Sequence, residues 1–288
     1  MQGKSSTKAD VQDKPAAAGS NSPKLFLLLM SCGLLIQPFP IIYLPEELKI
    51  FYAISITLVF LLVAIHVRGK ESLKKYFPVM FAFFTSALVL TLQFYTRGGG
   101  IGSTPWEKVL WMVASASLVV VPIILLTKKT GSNMASIFLQ KGDLKKGLII
   151  GLVTFTAFLV TSVPAAIYIF GGRADRITPE NLIAWSPWIV AFVFLNSLRE
   201  ELWFRGIFLK KFEKFFKADI ANLLQAIPFS IAHLGIRFDF TTIIYLVLFF
   251  FLGLGFGAIM QKTNSILGAV LFHAGADIPV MIMTFSLL

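Results

Sequence analysis

The stretch FTTIIYLVLFFFLGLGFGAIM, residues 240–260, contains no charged residue and no break in its apolar character. A helix needs about 20 such residues to cross the hydrocarbon core of a bilayer. Only helices and closed barrels satisfy the backbone there, and this stretch lacks the alternation of a barrel strand. It therefore predicts a transmembrane helix.

The rest of the chain contains eight further stretches of this kind. Of all residues, 56% are hydrophobic and only 14% are charged, whereas soluble domains are about a quarter charged. The predicted fold is all-α, a polytopic transmembrane bundle of about 8–9 helices. The nine predicted spans cover approximately residues 25–44, 51–67, 76–95, 109–127, 148–170, 182–204, 219–236, 240–260 and 265–287.

Two regions precede the last five spans. Residues 1–23 are rich in Lys, Ala, Ser and Gly and predict a disordered tail. The apolar run that follows is long for a signal peptide and has no clear cleavage site, so we expect an uncleaved first span. Residues 24–144 are predicted to hold the first transmembrane helices and a cytoplasmic amphipathic connector.

The net charge of +11 could suggest a nucleic-acid partner, but the basic residues lie in short blocks between the apolar stretches. Such blocks mark the cytoplasmic side of a membrane protein. We therefore expect a multi-pass protein in the lipid bilayer, with a cytoplasmic N-terminus and no nucleic acid bound. The basic cytoplasmic segments would be the tail, 68–75, 128–147, 205–218 and 261–264.

Cys32 is the only cysteine, which excludes an internal disulfide.

Five ionisable residues stand out within the sixth, seventh and ninth apolar segments, and each costs roughly 2.5–3.5 kcal/mol in a bilayer core. They are Glu200, Glu201, His233, His273 and Asp277. Residues that are this costly to place in a membrane are candidates for function by default.

The first of these segments reads NSLREELWFRG, residues 196–206. On a helix, Glu201 and Arg205 are i,i+4 neighbours that can form an ion pair, whereas Glu200 projects about 100° away. One glutamate would then be held in place while the other is available for proton transfer. An ion-pair cluster where the helix leaves the membrane is the alternative.

The histidines are predicted to reach the same depth as Glu200. If the helix continues to about Phe216 and the chain turns at Lys217, Glu200 and His233 both lie roughly 24 Å from the turn. His273 and Asp277 share one face of the last span, since they are four residues apart. The alternative is that each histidine has a purely structural role, with Asp277 as the partner that locks His273.

Three motifs on these segments resemble those of the CPBP family of intramembrane proteases, which includes the CAAX prenyl endopeptidases and bacteriocin-processing or immunity proteins. Residues 200–205 fit E-E-x-x-x-R, residues 229–233 fit F-x-x-x-H, and residues 273–277 fit H-x-x-x-N/D. The resemblance covers about residues 145–280 and makes residues 145–288 the expected catalytic transmembrane core. Asp277 departs from the Asn of many members; an ionised Asp donates no hydrogen bond.

By this resemblance, Glu200 and His233 would activate a water for attack on a peptide carbonyl. His273 and Asp277 would stabilise the oxyanion or orient the site, and Glu201 and Arg205 would hold the first motif. Glu200, His233 and His273 could also supply the His₂Glu set of a zinc site. Because no H-E-x-x-H helix is present, we expect that no metal or other cofactor is required.

The expected activity is endopeptidase cleavage of a protein or peptide substrate, membrane-anchored or prenylated, towards the cytoplasmic half of the bilayer. Two alternatives come from other classes. A non-proteolytic scaffold or immunity-type protein would keep the polar site for binding. A proton-coupled transporter would use the carboxylates and histidines as a relay, although discontinuous helices and inverted repeats are not evident.

Overall fold

The computed structural model describes residues 22–97, 103–233 and 240–288. The predicted disordered tail, residues 1–23, falls outside these ranges except for its last two residues. The end of the predicted span 219–236 also lies outside them.

All secondary-structure elements of the described residues are helices, which confirms the all-α prediction. The helices are α1 (Pro23–Ile36), α2 (Pro38–Tyr43), α3 (Glu46–Gly69), α4 (Phe77–Arg97), α5 (Pro105–Lys129), α6 (Leu144–Tyr168), α7 (Pro179–Glu200), α8 (Leu209–Phe212), α9 (Ala218–Ala232), α10 (Phe240–Thr263) and α11 (Leu267–Ser286). A π-helical segment, Glu201–Gly206, continues α7, and short 3₁₀ turns occupy Lys74–Tyr76, Met134–Ile137 and Ala174–Arg176.

Seven of the described helices are long and apolar enough to cross a membrane: α3 to α6, α7 with its continuation to Phe212, α10 and α11. The protein is therefore an integral, multi-pass membrane protein. The remaining two predicted spans are shorter apolar helices, α1 and α9. The first predicted span breaks at Gln37 because Pro38 and Pro40 have no amide hydrogen to continue the helical ladder.

The last four long helices and α9 surround the polar residues. α6 packs along α11, α7 packs against α5 and α11, and α9 packs against α10. Gly257 allows the close approach of α9 and α10, since a Cβ there would overlap the Asn222 side chain. The glycine-rich side of α10 is thus a helix-packing surface.

The connector between α5 and α6 is hydrogen-bonded to the turn between α10 and α11. The Asp143 amide donates to the Thr263 carbonyl at 2.7 Å, and the Ser265 hydroxyl donates to the Gln140 carbonyl at 2.8 Å. Gly142 lies in this contact with a φ of +53°, and a Cβ there would overlap the backbone oxygen of Thr263. The close approach and the left-handed backbone both favour glycine at this position.

The Gly142→Ala variant is expected to be less stable than the wild type by about 1–3 kcal/mol, because the left-handed backbone and the overlap both oppose a Cβ. Thermal unfolding of the detergent-solubilised protein measures the effect. Gly131→Ala is the matched control, since Gly131 also has a positive φ, of +74°, but open space around its Cβ position. If both variants had the same melting temperature, the close contact of Gly142 with the turn between α10 and α11 would not contribute to stability.

Candidate active site

The polar residues predicted from the motifs meet where α7, α9 and α11 come together. Glu200 is the last residue of α7, His233 caps the C-terminal end of α9, and His273 and Asp277 lie on α11. The helix predicted to run straight to about Phe216 instead changes to the π-helical segment directly after Glu200. Such π turns occur frequently at functional sites.

Both histidines direct the same ring atom towards Glu200. Its Oε2 atom lies 3.7 Å from His273 Nε2 and 4.0 Å from His233 Nε2. These distances exceed a direct hydrogen bond and suit groups that share a water molecule. Oε2 is buried and makes no hydrogen bond within the described residues. The predicted convergence of Glu200, His233 and His273 is therefore present in the structure.

The other ring nitrogen of each histidine is held by a hydrogen bond. His233 Nδ1 lies 2.7 Å from the Phe229 carbonyl oxygen. Since a carbonyl can only accept, Nδ1 carries the proton and Nε2 of a neutral ring presents its lone pair to the site. His273 Nδ1 lies 2.7 Å from Glu201 Oε1 and donates to it when that carboxylate is ionised. The Nε2 atom of His273 is thereby also directed at the site.

Stacking interactions fix the planes of both imidazole rings. The His233 ring stacks on Phe249, with centroids 4.2 Å apart and an angle of 22°. The His273 ring stacks on Phe256, with centroids 4.5 Å apart and an angle of 7°. Each ring therefore has one aromatic face and one hydrogen-bonded edge, which leaves little rotational freedom.

The predicted ion pair between Glu201 and Arg205 is present, with 2.9 Å between Glu201 Oε1 and Arg205 Nη1. Both side chains are 0% exposed. The Arg205 guanidinium also lies 3.9 Å from the centre of the Phe229 ring, a cation–π distance. This pair links the π-helical segment to α9 and, through Glu201, to His273.

Asp277 acts as a hydrogen-bond acceptor in this arrangement. Its Oδ2 atom accepts from Asn196 Nδ2 at 2.8 Å, and its Oδ1 atom lies 3.6 Å from His273 Nε2. Asn196 thus supplies an amide beside the Asp277 carboxylate. The departure at residue 277 is accompanied by an amide from a neighbouring helix.

Four polar residues outside the three motifs also belong to this hydrogen-bond network: Gln93, Ser115, Asn196 and Arg199. Arg199 Nη2 donates to Glu200 Oε1 at 2.7 Å and to Asn196 Oδ1 at 2.6 Å. Arg199 Nη1 donates to the Ser115 hydroxyl at 2.8 Å, and Ser115 is bonded in turn to Gln93. The signal that could have indicated them is the presence of amide and guanidinium groups inside apolar spans.

A cavity of about 340 Å³ adjoins the polar cluster. Its walls come mainly from the second half of α6, the middle of α10, and α11, with Phe229 of α9, and they are largely apolar. His273 and Asp277 form part of its lining, together with apolar side chains such as Phe158, Leu252 and Phe256. An elongated apolar group in this cavity would lie directly beside the candidate catalytic residues.

The side-chain arrangement bears on the zinc alternative. Within residues 22–97, 103–233 and 240–288, no group of three or more His, Cys, Asp or Glu side chains is placed so that it could hold a metal ion. The His₂Glu set therefore does not show the arrangement of a zinc site. Independence from metal remains a prediction.

Comparison with known protein families gives a match over the part of the chain that holds most of these residues. Residues 182–279 match the family model described as Type II CAAX prenyl endopeptidase Rce1-like. The matched region contains all three motifs and every polar residue of the site except Gln93 and Ser115. It confirms the resemblance to a CPBP-family protease over this part of the chain. No curated protein and no solved structure gives a significant match.

Proposed function

We propose that the protein is an intramembrane endopeptidase that hydrolyses a peptide bond of a membrane-associated protein with water activated by Glu200. The observation that carries the proposal is the convergence of His233 Nε2 and His273 Nε2 on Glu200 Oε2, at 4.0 and 3.7 Å. The family match over residues 182–279 supports peptide-bond hydrolysis as the reaction class.

In the proposed reaction, Glu200 and His233 hold a water molecule between Oε2 and Nε2. As the water oxygen bonds to the carbonyl carbon, its proton passes to Glu200, the general base. The resulting tetrahedral intermediate carries a negative charge on the former carbonyl oxygen. When the C–N bond breaks, Glu200 returns the proton to the amine nitrogen, so the carboxylate is regenerated.

The negative charge of the intermediate requires a hydrogen-bond donor in the site. We assign this role to His273, whose Nε2 carries a proton when the ring is protonated and bonded through Nδ1 to Glu201. Asp277 and Asn196 orient this side of the site, since Asp277 faces the same Nε2 atom. Glu201 and Arg205 hold the π-helical segment in position.

The apolar cavity supports a membrane-anchored or prenylated substrate. Its lining offers few polar groups other than His273 and Asp277, so an apolar chain would fit better than a charged peptide. We also propose that the N-terminus and the site face the cytoplasmic side. This orientation follows from the basic residues that come after Arg205 in the chain, among them Lys210, Lys211 and Lys214.

Filling the cavity is expected to block cleavage. In the Ala165→Trp variant, an indole ring would occupy the space next to the substrate, and cleavage of a lipid-bearing substrate should fall about tenfold or more. Ala157→Trp is the matched control, because Ala157 lies on the same helix but is exposed. Equal activity of the two variants, measured on the natural precursor, would show that the substrate does not enter the cavity.

The proposal is tested by comparing the membrane peptides of cells that produce the wild-type protein or the Glu200→Gln variant at equal levels. Mass spectrometry should find an uncleaved precursor that accumulates only with the variant, and the precursor identifies the substrate. An unchanged set of membrane peptides would overturn the proposal and favour the non-proteolytic scaffold. Addition of a chelator to wild-type membranes should leave the precursor fully cleaved.

A further inference from the structure

A cluster of four polar side chains connects the candidate active site to the two long helices α4 and α5. The cluster consists of Gln93 on α4, Ser115 on α5, and Asn196 and Arg199 on α7, and we call it the brace. None of its members belongs to the three motifs. Gln93 and Ser115 also lie outside the region that matches the family model.

Arg199 is the centre of the brace because its guanidinium bonds in two directions. Nη2 donates to Glu200 Oε1 at 2.7 Å and to Asn196 Oδ1 at 2.6 Å. Nη1 donates to Ser115 Oγ at 2.8 Å. The planar, forked guanidinium can hold these three acceptors at once, which the single ammonium of a lysine does less well.

The donor and the acceptor of each hydrogen bond in the brace can be assigned in one way only. Ser115 Oγ accepts from Arg199 and donates to Gln93 Oε1 at 2.6 Å, while Gln93 Nε2 donates to the Ser115 carbonyl at 2.9 Å. Asn196 accepts from Arg199 through Oδ1 and donates to Asp277 Oδ2 through Nδ2. Both amides would lose bonds if they were turned over, so the network specifies one orientation of each.

The brace determines where the Glu200 carboxylate points. With Oε1 bonded to Arg199, the other oxygen, Oε2, is turned towards the Nε2 atoms of His233 and His273. Ser115 and Gln93 are buried, so breaking their bonds would leave polar groups without partners. The position of Glu200 thus depends on two helices that contribute no residue to the three motifs.

We infer that Arg199 is a positioning residue for the Glu200 carboxylate, and that Ser115 and Gln93 anchor it from α5 and α4. This inference rests on the proposed function, in which Glu200 is the general base. Misplacement of a reacting group by about 1 Å can lower a rate about a hundredfold. Loss of the brace should therefore act on the chemical step and not on substrate binding.

The test measures kcat and KM of the purified, full-length variants on the precursor that accumulates with Glu200→Gln. Ser115→Ala should lower kcat about tenfold and Arg199→Gln about a hundredfold, with little change in KM. Arg199→Lys should recover part of the loss. Ser117→Ala is the matched control: Ser117 is an exposed serine on the same helix, bonded only to the Val113 carbonyl in the described residues.

A double variant separates positioning from a general loss of stability. Because Ser115 acts through Arg199, adding Ser115→Ala to Arg199→Gln should lower kcat no further, whereas independent effects would multiply. Rates are normalised to the folded fraction, obtained from thermal unfolding. If Ser115→Ala had wild-type kcat per folded molecule, or if the two effects multiplied, the inference would be overturned while the protease proposal stood. If Glu200→Gln accumulated no precursor, both would be overturned.

Discussion

The Glu200→Gln variant is expected to cleave its substrate about a thousandfold more slowly than the wild type, in the range typical for loss of a general base. Glutamine has nearly the same shape as glutamate, and its amide oxygen can still accept the Arg199 hydrogen bond made by Oε1. The amide nitrogen would then replace Oε2 between the two histidines. Because an amide nitrogen is not a base, the water could not transfer its proton.

The measurement is the cleavage rate of the purified protein on the precursor, together with its melting temperature. The melting temperature should fall only slightly, because the substitution conserves shape and the Arg199 hydrogen bond, and because the Arg199–Glu200 pair is 12% exposed on each side, unlike the fully buried Glu201–Arg205 pair. Glu213→Gln is the control: Glu213 lies after α8, accepts from Gln261 Nε2 at 2.7 Å and belongs to none of the three motifs. A Glu200→Gln variant with near wild-type activity would remove Glu200 from the role of base.

Substitution of Arg205 is expected to affect folding more than any other change in the site. Arg205→Met would leave the Glu201 carboxylate buried without its cation, which typically costs about 3–5 kcal/mol. It would also remove the cation–π contact with Phe229 and the link from the π-helical segment to α9. We therefore expect a marked fall in the melting temperature and poor recovery of folded protein from membranes.

The exposed pair of Arg173 and Asp175 provides the comparison. Arg173 Nη2 lies 2.8 Å from Asp175 Oδ2, a distance similar to that of the buried pair. The hydrogen bond from Arg173 lowers the pKa of Asp175. Because water replaces the partner of an exposed charge, Arg173→Met should leave the melting temperature unchanged. Equal melting of the Arg173→Met and Arg205→Met variants would show that burial of the ion pair does not contribute to the fold.

Substitutions of the adjacent residues Glu200 and Glu201 are thus expected to have different effects, on activity and on folding respectively. Glu200 keeps one buried oxygen for chemistry, and its loss should abolish activity in a folded protein. Glu201 is surrounded by Arg205 and His273, so its charge is needed to satisfy its buried partners. The sequence predicted this division of roles from the i,i+4 spacing alone, because neighbours on a helix are set by local geometry.

Short-range features of the sequence determined the helical fold of this protein and the contacts within single helices. Long apolar runs must form helices in lipid because no water satisfies their backbone, so the all-α membrane bundle was predictable. The pairs Glu201–Arg205 and His273–Asp277 were predictable for the same reason, since one turn of helix brings them together. The end of α1 at Ile36 was not predicted, because hydropathy alone does not place helix ends.

Only the tertiary structure decided which groups from outside the three motifs reach the site. Asn196 reaches Asp277 across 81 positions of the chain, and Arg199 reaches Ser115 across 84. Such contacts depend on how whole helices pack, including the π-helical segment that follows Glu200. The apolar cavity beside His273 arises in the same way, from the space left between three helices. Periodicity along one helix carries no information about these distances, so the brace and the cavity had to be observed.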